Sequence, residues 1–352
     1  TKYPELTLGS TFLDNNPGIS NLAGLDKYKQ KIQYYFAYML NASRGFDQAI
    51  NLPANEYTST NYGCIVYSKT ALAFDYLRAY LGEKTFDKCM QTYYERWKFK
   101  HPQPEDLKNV FQEVSQKDLR WFFDDYLKGT EVIDYKIKRK KRVDRRSSKT
   151  YMWMKYEESL VIKNKTNYIV PFCIQGIRAD TVAAEVWYQG FKGTKTVNFP
   201  NGPYEYFKID FREEIPEVYR KNNMLRDSEY VFKTTEKFRL KFLGAPTHPR
   251  RTSLYFAPIL AYNHYDGLMG GLLLYNNVFP QKNFEWRIMP LYGVQSNMPV
   301  GSAYFNWNIN TRKSSWLNNM YVSLPVRSYS TSLFSLGEIN VKENFVKVAP
   351  EV

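Results

Sequence analysis

The stretch NYGCIVYSKTALAFDYLRAYLGEKTF, residues 61–86, places Tyr67, Ala71, Phe74, Leu77 and Leu81 at steps of four, three, three and four. That spacing predicts one apolar stripe on a helix over residues 67–81. Gly82 follows where a helix C-cap is expected. Phe86, Met90, Tyr93, Tyr94 and Trp97 continue with the spacing of a second helix. HPQPEDLKNVF then opens a third, with Pro104, Glu105 and Asp106 in its first turn and Leu107, Val110, Phe111 and Val114 as its buried face. A proline at the first helical position has the right φ, and negative charge there meets the positive end of the helix dipole. Leu119, Trp121, Phe122, Phe123 and Tyr126 mark a fourth helix, ended by Gly129. Short helices with short polar joints read as antiparallel pairs.

Beyond residue 130 the period changes from 3.6 to 2. Several short alternating runs separated by Gly, Pro, Asn and Asp suggest a small β-sandwich over 131–230. From residue 231 to 352 the alternation becomes stricter. Ala303, Phe305, Trp307 and Ile309 share one face of a strand, and Tyr304, Asn306, Asn308 and Asn310 share the other. Met320, Val322, Leu324 and Val326 repeat the pattern against Tyr321, Ser323 and Arg327. Segments of about ten residues with one apolar and one polar face are the signature of a transmembrane β-barrel. Soluble sandwiches alternate too, so the test is which face is buried. The expected fold class is therefore α+β and multidomain. It comprises a helical part (1–130), a β-sandwich (131–230) and antiparallel strands of a partial barrel (231–352).

Composition narrows the function classes. The chain has 352 residues, 43% hydrophobic, with 30 Tyr and 23 Phe. Such an aromatic excess suits protein or membrane–water interfaces. The net charge of +14 favours acidic partners without choosing among them. Cys64, Cys89 and Cys173 are too few and too widely spaced for a disulfide framework or a cysteine zinc site. No apolar run is long enough for a transmembrane helix. The opening TKYPELTLGS lacks an initiator Met and the apolar core of a signal peptide, and VKVAPEV ends without a stop to its pattern. Both ends read as cuts.

The 61–86 stretch resembles the segment that follows the zinc site in gluzincin aminopeptidases of the aminopeptidase N and leukotriene hydrolase type. That family carries Tyr-x-Lys-Gly at a helix start, then an apolar stripe and Leu-Gly-Glu-x-x-Phe. Tyr67, Lys69, Leu81, Gly82, Glu83 and Phe86 match, while Thr70 replaces the glycine. FQEVSQKDLRWFFDDYL and IPEVYRKNN also look like family segments, so the likeness runs over residues 1–228. The resemblance implies a metallopeptidase, a hydrolase using zinc-activated water on peptide bonds. Tyr67 is then the catalytic residue, its phenol donating to the oxyanion. Tyr62 and Lys69 are candidate neighbours of that site. On its residues alone, Tyr67 belongs to the apolar stripe and Lys69 reads as a solvated residue at a helix start.

The metal half is missing from the sequence. H-E-x-x-H supplies two zinc ligands and a base in this class, and no such motif occurs here. The histidines are His101, His248 and His264, none with a second histidine four residues on. No residue of this chain is therefore assigned as a metal ligand, and the zinc site is expected upstream. His101 reads as a capping or surface residue.

Two other stretches carry features that could bear function. KIKRKKRVDRR, residues 136–146, offers charge for nucleic acid or anionic lipid, but its alternation with Ile137 and Val143 reads as a solvated strand that also blocks edge pairing. YNHYDGLMGGLLLYN, residues 262–276, puts Asp266-Gly267 at a turn and resembles strands of outer-membrane surface-antigen barrels. The leading expectation is an outer-membrane-anchored zinc aminopeptidase of a Gram-negative cell, its peptidase part in the periplasm. Its partners would be a peptide substrate, outer-membrane lipid and other outer-membrane proteins, with no nucleic acid. The alternative is a catalytically inactive peptidase-like scaffold in an outer-membrane protein complex.

Overall fold

A computed structural model describes residues 31–141, 157–226, 238–243, 252–279, 281–310, 319–336 and 339–351. The chain is α+β and divides into two compact units. One is residues 47–235. The other joins the residues up to 46 with those from 236 onward.

Among the described residues the first helix, α1 (Ile32–Ala42), belongs to the second of these units. In the 47–235 unit the chain opens with a loop and a π-helix, Tyr62–Lys69, which runs into α2 (Thr70–Leu81), α3 (Glu83–Trp97) and α4 (Pro104–Ser115). Gly82 joins α2 to α3 at φ 83°, ψ 146°, a conformation open almost only to glycine. At α4, Pro104 takes the first helical position and the N-cap Gln103 exchanges hydrogen bonds with Asp106, so the sequence signals act as expected. Val110 and Phe111 are its buried residues. In α3 the buried residue is Cys89, whereas Met90 and Tyr94 of the expected stripe are exposed. A second π-helical turn, Trp121–Tyr126, buries Trp121, Phe122, Phe123 and Tyr126.

Two sheets follow. β1 (Tyr135–Lys141), β2 (Glu157–Asn164) and β5 (Thr194–Pro200) form a three-stranded sheet in the order β1-β2-β5. β3 (Phe172–Arg178), β4 (Thr181–Tyr188), β6 (Tyr206–Ile209) and β7 (Met224–Arg226) form a second, ordered β4-β3-β6-β7. Every residue of β3 except Arg178 is buried, so both its faces are covered. On one face Phe172 stacks on Tyr135 of the other sheet, with ring centroids 4.4 Å apart. On the opposite face Cys173 pairs with Trp187, whose indole lies on Tyr76 and Tyr80 of α2. Helices and both sheets thus share one hydrophobic core. The described part of the basic run is β1, at the edge of its sheet, with Ile137 inward and Lys136, Lys138 and Arg139 outward. Residues 142–146 lie outside the described residues.

The other unit holds a seven-stranded sheet, β8 (Phe238–Phe242), β9 (Thr252–Asn263), β10 (Gly267–Tyr275), β11 (Phe284–Gly293), β12 (Met298–Asn310), β13 (Asn319–Leu336) and β14 (Ile339–Val348). The strands follow chain order across the sheet. All neighbours are antiparallel except β8 and β9, which run parallel and depart from the expected meander. Among the described residues β8 and β14 are not paired with each other, so the sheet is open. The antiparallel registers give its two faces. Phe305 opposes Leu324, Trp307 opposes Val322 and Asn306 opposes Ser323. Leu260, Tyr262, Leu268, Leu272, Trp307 and Ile309, on one face, are exposed. Asn306, Asn308 and Ser323, on the other, are buried. The same covered face also buries Tyr255, Ala257, Met269, Leu291 and Val300, so it is mixed, while the exposed face carries the apolar residues named above.

Candidate functional site around Tyr67

Local hydrogen bonding explains why Tyr67 points away from the core. Thr58 caps the opening turn, its Oγ1 accepting from the Asn61 backbone N–H at 3.2 Å. The π-helix begins at the next residue, Tyr62. Its hydrogen bonds span one residue more than those of an α-helix. At its end Thr70 donates twice to Ile65 O, from its backbone N–H and from Oγ1 at 3.1 Å. Thr70, the point where the sequence departs from the motif it resembles, thus helps close the π-helix.

Burial along these helices corrects the phase of the expected stripe. The buried residues are Cys64, Ile65, Ser68, Lys69, Leu72, Ala73, Tyr76, Leu77 and Leu81. Leu77 and Leu81 keep their expected places, Phe74 is half-buried, and Tyr67 and Ala71 turn to the exposed side. Tyr67 is 62% exposed, so it is not a packing tyrosine. Its ring meets Tyr62 edge to face at 6.0 Å, and Tyr62 meets Tyr57 in the same way at 6.2 Å. The Tyr57 hydroxyl is committed to Ala49 O at 2.8 Å and Ile50 O at 2.6 Å. Burial raises its pKa above that of an ordinary phenol. Among the described residues no hydrogen bond engages the Tyr67 hydroxyl, which leaves it available as a donor.

Lys69 is the second correction. It is 0% exposed rather than solvated. Its ammonium donates to Asp47 Oδ2 at 2.8 Å, Gln48 O at 3.0 Å and Gly129 O at 3.4 Å. The Asp47 side chain is itself buried. Sequence spacing could not reveal this pair, because Asp47 lies 22 residues away in a loop.

Among the described residues no group of three His, Cys, Asp or Glu side chains is placed to hold a metal ion. His101 and His264 are exposed, and His248 lies outside the described residues. The described residues therefore do not fit zinc. Asp266 belongs to a turn: it accepts from Asn263 Nδ2 at 2.6 Å and Ser330 Oγ at 2.7 Å.

A cavity of about 790 Å³ opens elsewhere, lined by Tyr80, Arg120, Trp121, Asp125, Ile169 and Gln189 among others. None of Tyr62, Tyr67 and Lys69 lines it. No periodicity marked it in the sequence, because its walls come from helix and sheet segments far apart in the chain.

Residues 16–126 match the family model of the Peptidase family M1 domain. The matched stretch includes Tyr62, Tyr67 and Lys69 and ends at the last residue of the second π-helical turn, ahead of the sheets. No curated protein matches the chain.

Proposed function

We propose that this protein is a peptidase of the M1 aminopeptidase kind in which Tyr67 donates its phenol hydrogen to the oxyanion formed at the scissile carbonyl. The match over residues 16–126 supports a peptidase-like protein. The observation that carries the mechanistic step is the outward, uncommitted hydroxyl of Tyr67 within that stretch. A donor aimed at developing negative charge lowers the barrier by about 3–4 kcal/mol, or about 10²–10³ in rate. Tyr62, edge to face with Tyr67, limits where that ring can move. The substrate class is a peptide.

The reading extends to an anchor in the outer membrane of a Gram-negative cell, with the peptidase-like part in the periplasm. Its support is the row of exposed apolar side chains on one face of the seven-stranded sheet, Leu260, Tyr262, Leu268, Leu272, Trp307 and Ile309, the surface that a lipid-facing strand presents.

The test is hydrolysis of aminoacyl and peptide amides by the intact protein, with and without a chelator. Hydrolysis that is lost on chelation and restored by zinc supports the enzyme. A folded protein without hydrolysis under any of these conditions favours the alternative, an inactive peptidase-like scaffold among other outer-membrane proteins.

A further inference from the structure

The π-helix that carries Tyr67 is tied at both ends to one dipeptide. At its C-terminal end the Lys69 ammonium is held by Asp47 Oδ2 and Gln48 O. At its N-terminal end Gln48 Oε1 accepts from Asn61 Nδ2 at 2.8 Å and from the Thr58 N–H at 3.2 Å. Asn61 is buried and immediately precedes Tyr62. Gln48 thus grips the helix at both ends, by its carbonyl at one and its side chain at the other. Gly129 O adds a third acceptor to Lys69 from beyond the second π-helical turn.

Two physical arguments give this arrangement a purpose. A π-helix is intrinsically poor and persists where its surroundings impose it, often at functional sites. A buried ion pair is a costly way to gain stability, since well-packed apolar residues of the same size do at least as well; its best-attested use is to fix one register. Lys69 points inward two residues after Tyr67, on the opposite side of the helix. Fixing Lys69 therefore fixes the direction of Tyr67.

We propose that Asp47, Gln48 and Lys69 form a clamp that positions Tyr67 for its reaction. The proposal rests on the reading of Tyr67 as the oxyanion donor. The three residues are positioning residues and do not touch the substrate.

The test uses the intact protein with 3-fluorotyrosine at position 67, and the paired substitution Asp47→Leu with Lys69→Met, which replaces the ion pair by apolar groups. The expected result is a moved or broadened fluorine line and an unchanged urea midpoint. Turnover should fall about 10–100-fold at nearly constant KM, as a small misplacement of a reacting group costs. In a Tyr67→Phe background the same pair should cause no further loss, because both changes remove one interaction. An equal loss in both backgrounds, or an unmoved fluorine line with full turnover, would overturn the clamp. Where the paired variant does not fold, Gln48→Ala, which removes the side-chain contacts to Asn61, Thr58 and Glu56 but keeps the Gln48 carbonyl on Lys69, is read the same way. If Tyr67→Phe alone leaves turnover intact, the oxyanion reading fails. The fluorine line then decides the clamp by itself: movement supports it and constancy overturns it.

Discussion

Ser323 Oγ donates to Asn306 Oδ1 at 3.1 Å across β12 and β13, and both residues are buried. Their neighbours Trp307 and Val322 pair on the opposite face, where Trp307 is 38% exposed. At this strand pair the covered face carries Asn306, Asn308 and Ser323, and the exposed face carries Trp307 and Ile309.

That face gives the first prediction. Leu272 lies in β10 on the exposed apolar side. Leu272→Arg should cost about 2–4 kcal/mol in phospholipid vesicles if its face contacts hydrocarbon near the midplane. Denaturant titration of the vesicle-inserted protein measures it. A cost within about 0.5 kcal/mol would mark a water-facing position.

Asp266 provides a second. Burial works to raise its pKa, but hydrogen bonds from Asn263 and Ser330 outweigh it, and the carboxyl is held below its ordinary value of 3.8. A depressed carboxyl contributes stability that is present above the unfolded pKa and lost as pH falls through the folded one. Asp266→Ala should cost about 1.5–3 kcal/mol at neutral pH, the range for hydrogen bonds to a charged group. The difference should shrink below pH 3.8. Urea midpoints at both pH values check it.

Glu217 behaves in the opposite sense. It is fully buried between the Tyr135 N–H, at 2.5 Å, and the Asn223 side chain. Burial first, then the nearby Asp134 carboxylate, push its pKa well above the ordinary 4.5. A raised carboxyl favours folding below the unfolded pKa, and that contribution is lost as pH rises toward the folded one. Glu217→Gln should therefore flatten the fall in stability above pH 4.5. Chemical denaturation across pH 4.5 to 8 would show it, and an unchanged slope would rule the effect out.

Gly82 gives a backbone prediction. At φ 83°, ψ 146° an alanine is strained although no atom lies within 4 Å of its Cβ position. Gly82→Ala should destabilise by about 1–3 kcal/mol. Thermal unfolding reads this, and a neutral result would mean that the α2–α3 turn relaxes.

Much of the architecture was legible in the sequence. The Pro104 and Asp106 signals mark the start of α4, and the alternation around Phe305 and Ser323 identifies both faces of the outer strands. Three features were not legible. The phase of the stripe is the first: Leu77 and Leu81 are on it, but upstream it runs through Ala73, Lys69 and Ile65 rather than through Ala71 and Tyr67, and apolar spacing alone does not choose between the two. The burial of Lys69 depends on Asp47, a tertiary partner that composition cannot name. The parallel pairing of β8 with β9 is invisible to a period-two reading, which gives no strand direction. At the candidate site, Tyr67 itself was visible only through the family motif; its freedom from packing came from the fold.

The most direct measurement of the central claim is the turnover of Tyr67→Phe in the intact protein, set beside the unaltered protein on the same peptide substrate. Losing only the phenol hydroxyl should lower kcat by about 10²–10³ and leave KM nearly constant. A kcat within twofold of the parent, in a variant with the parent's stability, would contradict the account.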